Sequence, residues 1–93
     1  MGAYGEHRKR LARELKARIV AAGGQGVHVH GGRGTGWGWI DVSGSLLGGE
    51  FTPEQKQAVQ EVTGSPTGVN FWVGQIEDVE RILGIPFDWQ NLN

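Results

Sequence analysis

Between Val27 and Val42 the chain alternates apolar and polar residues on both sides of a glycine-rich run, and this pattern constrains the fold more than any other in the sequence. Val27-His28-Val29-His30 and Trp39-Ile40-Asp41-Val42 both show the period of two expected of a strand with one buried face. The intervening Gly31-Gly32-Arg33-Gly34-Thr35-Gly36 supplies glycines able to take the positive φ angles of a hairpin connection. The segment from His28 to Ser43 therefore reads as two antiparallel strands. With Val27, Val29, Ile40 and Val42 toward the core, His28, His30, Trp39 and Asp41 share the opposite face, and Trp37 joins them if the second strand begins early.

Helices frame this pair. From Glu6 to Ala22, Leu11, Leu15, Ile19 and Ala22 recur at helical spacing, Arg8, Lys9, Arg13 and Lys16 fall largely off that stripe, and Glu14 and Arg18 form an i,i+4 pair. Gly23 and Gly24 stop the helix. Gly44 to Glu50 reads as a loop that buries Leu46 and Leu47. Thr52-Pro53-Glu54-Gln55 then combines a threonine N-cap, a proline in the first turn and a glutamine in capping-box position. This predicts a helix to Thr63 that buries Ala58, Val59 and Val62 and ends at Gly64-Ser65-Pro66. Val69 to Val73 reads as a third strand, with Val69, Phe71 and Val73 on one side and Asn70 and Trp72 on the other. A last helix uses Ile76, Val79, Ile82 and Leu83 and stops at Gly84 and Pro86. Asp88-Trp89 suggests a tail that folds back. The order is α-β-β-α-β-α, an α+β fold with a single-layer sheet of three strands and three helices.

A length of 93 residues suits one hydrophobic core, so residues 1–93 are expected to form one domain. The chain has no cysteine, which removes disulfides and thiolate zinc sites as supports, while four tryptophans supply large apolar area. Residues 1–33 carry seven Lys or Arg against two acidic residues, whereas residues 34–93 carry two against eight. The two halves can attract one another within one fold or between subunits. The sequence shows no apolar run long enough for a signal peptide or a membrane span, and position 6 is Glu where a myristoylation motif needs Ser or Thr; a cytoplasmic setting without membrane partners is expected.

Enzymatic and cofactor signatures are weak. The glycine run leads into a strand and lacks the Gly-Lys-Ser/Thr of a phosphate loop, so it fits no nucleotide fingerprint, although Arg33 and the loop amides could hold a looser anion. His28 and His30 lie on one side of a strand, where Asp41 or His7 could complete a metal site, but two ligands alone do not define one and no metal or cofactor is assigned. The same histidines with Asp41, near Thr35 or Ser43, lack the surroundings of a nucleophile, and no catalytic residue is named.

Two binding readings remain. Trp37, Trp39 and Arg33, with His28, His30, Asp41 and Trp72, could anchor a protein interface, the partner being an unidentified protein or a second copy of the chain. The alternative is a module for single-stranded nucleic acid, with the tryptophans as stacking platforms and Arg8, Arg10, Arg13 and Lys16 on phosphates. An overall pI near 6.3 argues for the first. The exposure of Trp37 and Trp39 decides whether they are core or contact surface.

Overall fold

The computed structural model describes residues 3–31 and 38–88. It has the α+β fold expected: helix α1 (Ala3–Ala21), strands β1 (His28–Gly31) and β2 (Trp39–Ser43), a 3-10 turn (Leu47–Gly49), helix α2 (Pro53–Thr63), strand β3 (Trp72–Gln75) and helix α3 (Ile76–Leu83). The strands form one antiparallel sheet in the order β1-β2-β3. All three helices contribute to a single apolar cluster on one face of that sheet. Leu11, Leu15 and Ile19 of α1, Ala58 and Val59 of α2, and Ile76, Val79 and Leu83 of α3 pack there with Ile40, Val42 and Trp72.

The capping signal at Thr52 is realised in full. Gln55 N–H donates to Thr52 Oγ1 at 3.1 Å, and Thr52 N–H donates to Gln55 Oε1 at 2.8 Å. Gln55 does more than close this box. Its Oε1 also accepts from Ser45 N–H at 3.3 Å, while Nε2 donates to the Gln25 carbonyl at 2.7 Å and to Ser45 Oγ at 2.8 Å. One buried amide thus joins the start of α2 to the segments before β1 and after β2, with donor and acceptor atoms both satisfied.

Three details differ from expectation. β3 begins at Trp72, not Val69, because the preceding residues turn: Gly68 N–H donates to the Phe71 carbonyl and Phe51 N–H to the Val69 carbonyl, each at 3.0 Å. Leu46 and Leu47 are not buried, and Leu47 is 96% exposed. Their loop is held by its own backbone, with Gly44 N–H donating to Gly49 O at 2.7 Å and Leu46 N–H to Glu50 O at 3.0 Å, so no leucine anchor is needed. Finally, α1 starts at Ala3 and Ala22 is exposed, the buried stripe being extended at the other end by His7.

Helix α1 meets α3 through two polar contacts, neither of which pairs a Lys or Arg with a carboxylate. His7 Nε2 lies 2.7 Å from Glu80 Oε2, and Arg18, expected to pair with Glu14, donates to the Leu83 carbonyl at 3.0 Å. Tyr4 and Phe87 close over His7, with Phe87 5.2 Å from the Tyr4 ring and 5.0 Å from the imidazole. Burial, and after it the carboxylates of Glu77 and Glu80, raise the Tyr4 phenol above its ordinary pKa of 10.0. Tyr4 is the chain's one tyrosine, so ultraviolet titration should show a single phenolate midpoint above that value. The neutral phenol is favoured in the folded state, so its stabilising contribution is complete below the unfolded value and is lost as pH rises through the folded one. A midpoint at 10.0 would refute the partial burial of the phenol beside Glu77 and Glu80.

Candidate protein interface

The functional question concerns the other face of the sheet. Ladder phase fixes which groups it presents. Ile76 N–H donates to Gly38 O at 3.1 Å, so in register Ile40–Gly74 and Val42–Trp72 are the hydrogen-bonded pairs, while Trp39–Gln75 and Asp41–Val73 are the closer, non-hydrogen-bonded pairs. On β1, His28 opposes Ser43 and His30 opposes Asp41. The face away from the helices therefore carries a row His30, Asp41, Val73 across three strands, with Trp39 and Gln75 on one side of it and His28 and Ser43 on the other.

This face keeps large apolar groups in water. Trp39 is 41%, Val73 46% and Phe71, just before β3 and of the same parity as Val73, 54% exposed. Trp39 and Val73 are diagonal neighbours in the register, near enough for a large side chain to bridge. The His28 and His30 rings lie side by side, 6.4 Å between centroids with planes 5° apart. Asp41 is half-buried between His30 and Val73. Among the described residues, no group of three His, Asp or Glu side chains is placed to hold a metal, and His7 is occupied with Glu80 far along the chain from the strand histidines.

The residues singled out in the sequence thus separate into three sets. His28, His30, Trp39 and Asp41 come together on the open face. Arg33 and Trp37 lie outside the described residues, as do the glycines from Gly32 to Gly36 and the tail residue Trp89. Trp72 does not belong to the open face: it is 6% exposed and pairs with Val42, whose side chain is core. Its ring lies over Gly74, where a Cβ would overlap it, so Gly74 makes room for the largest side chain of the sheet's inner layer. Phe71 and Val73 take the surface role instead, one residue out of phase with Trp72. The period of two in Phe71-Trp72-Val73 separates the two sets but does not say which is outside.

The basic residues Arg10, Arg13 and Lys16 are exposed on α1, in the helical layer, and Arg8 reaches Gly31 of β1 from the helix side. Aromatic rings and these cations therefore sit in different layers. No family model, curated protein or solved structure gives a significant match to this chain. No helix of the described residues is long and apolar enough to cross a membrane.

Proposed function

We propose that the chain is a non-catalytic protein–protein interaction module that docks a protein partner on the open sheet face. The observation that supports this is the one-sided placement of the helices, which leaves Trp39 and Val73 of the sheet in water, with the exposed Phe71 just before β3. Adjoining exposed apolar groups of this size are uncommon on a surface that stays solvated. Trp39 is suited to anchor the contact, since tryptophan buries a large area at the cost of few rotatable bonds. His28, His30 and Asp41 then form a polar rim able to set orientation, and the fit is to an apolar protein surface bordered by polar groups. Single-stranded nucleic acid could stack on the same rings, but Arg10, Arg13 and Lys16 are not on that face to neutralise its phosphates.

A photo-crosslinker at Val73 should trap a discrete protein, whereas one at Lys16, on the exposed side of α1, should not. The trapped protein, purified, should bind the chain and lose about 30-fold in affinity for Trp39→Ala, equivalent to about 2 kcal/mol for an anchor residue. Salt-dependent binding of mixed oligonucleotides that vanishes in Trp39→Ala, with no protein trapped, would replace this reading by the nucleic-acid one.

A further inference from the structure

We propose that His28 and His30 are one half of a site for a late first-row divalent cation such as Zn2+, completed by the same two residues of a second copy of the chain. The inference does not rest on the open-face docking proposed above. Both rings stand exposed on the open face of β1, with centroids 6.4 Å apart and planes within 5° of parallel. Two imidazoles on one zinc, with Zn–N bonds of about 2.0–2.1 Å, bring their ring centres to roughly 5 Å. Rotation about the side-chain bonds of two exposed residues therefore closes the pair on an ion. The strand holds them to this approach, because the backbone that carries both rings is paired with Asp41 and Ser43 of β2.

A second observation points to a cation here. His7 and Gln55 have polar partners within the fold, whereas the strand histidines do not. Among the described residues, neither the His28 ring, the His30 ring nor the Asp41 carboxylate makes a hydrogen bond or an ion pair. Asp41 is half-buried, opposite His30 on one side and Val73 on the other. A carboxylate drawn partly out of water without a cationic partner carries a desolvation cost. A cation on the adjoining imidazoles offsets that cost, and the carboxylate can in turn accept from the ring N–H of His30 that faces away from the ion, as outer partners of metal-bound histidines do.

Ligand count and charge both select a second copy as the other half. Imidazole nitrogen suits zinc, which takes four ligands in a closed tetrahedral site. One chain supplies two, and among the described residues no third His, Asp or Glu is placed to join them. Two copies related by a two-fold axis through the ion supply four, and their two Asp41 carboxylates balance its double charge. Strand order leaves β1 at the margin of the sheet, and the rings project from the face away from the helices, so each pair reaches the ion without displacing α1. Side chains alone make the contact, and no backbone pairing between the copies is needed.

Zn2+ titrated into the untagged chain at about 100 µM should raise the weight-average mass in sedimentation equilibrium from 10.1 kDa toward twice that value, levelling off at one ion per two chains. Co2+ in its place should give the intense visible absorption of a four-coordinate ion. His28→Ala and His30→Ala, both at exposed positions, should each lower zinc affinity at least about tenfold and keep the chain monomeric, and Asp41→Asn should weaken it by about tenfold. Trp39→Ala should dimerise with zinc as the parent does. A complex of one ion per chain at monomer mass overturns the inference, because water then completes the coordination. So does zinc binding that survives the loss of either histidine, or full affinity in Asp41→Asn, which removes the charge balance that selects two copies. A dimer that forms without zinc, or is lost in Trp39→Ala, overturns it by placing the contact elsewhere on the open face.

Discussion

Gly44→Ala should lower the melting temperature of the chain by roughly 15 °C, the equivalent of about 3 kcal/mol for a domain of this size. A Cβ on Gly44 would come within 2.5 Å of the Phe51 Cα and closer still to the Glu50 carbonyl, and both obstacles are backbone. That backbone is pinned by the bonds from Gly44 to Gly49 and from Leu46 to Glu50, so it cannot yield without opening the turn that joins β2 to α2. Gly38→Ala is the matched control. Nothing lies within 4 Å of its added Cβ and its φ is not positive, so its melting temperature should stay near that of the parent. Equal melting temperatures for the two variants would show that the 44–51 segment is free to rearrange.

Gln55→Leu should cost a further large sum, about 3 kcal/mol, through unmet hydrogen bonding more than through packing, since leucine nearly fills the same volume. It strips partners from the Ser45 and Thr52 N–H groups and from the Gln25 carbonyl together; these bonds are part-buried, so each costs less than the about 1–3 kcal/mol of a fully buried unpaired group, and the sum is what reaches that size. Thr52→Ala removes only the cap and should cost about 1 kcal/mol. Because the two side chains share a reciprocal box, the double variant should lose less than the sum of the two. Denaturant titration of the four proteins measures this. Strict additivity would mean that the two halves of the box do not support one another.

The capping box illustrates what could be read from the sequence. Thr52, Pro53 and Gln55 act on neighbours within one turn, so their roles are encoded locally, and the helix starts where they place it. The remaining bonds of Gln55 run to Gln25 and Ser45, thirty and ten positions away, and no local pattern announces them. His7 is similar: its place on the α1 stripe is periodic, but its partner Glu80 is 73 positions distant. For β1 and β2 the alternation was sufficient, because valine and isoleucine on one parity and histidine and aspartate on the other leave little choice of buried face. β3 has apolar residues of both parities, and the choice between Trp72 and the Phe71, Val73 pair was made by the register with Val42 and the space over Gly74. Thus His28, His30, Trp39 and Asp41 were legible as a cluster, whereas Phe71 and Val73 were not.

The ring contact between Tyr4 and Phe87 has a topological consequence. It brings a residue at the beginning of α1 against one that follows α3, so the two ends of the described path come side by side. A short covalent bridge there would span a gap the fold has already closed, and by restricting the unfolded chain it would add stability without a new contact. Spliced between two residues of a host protein, the same path would act as an inserted loop with adjacent ends and leave the host's backbone almost undisturbed.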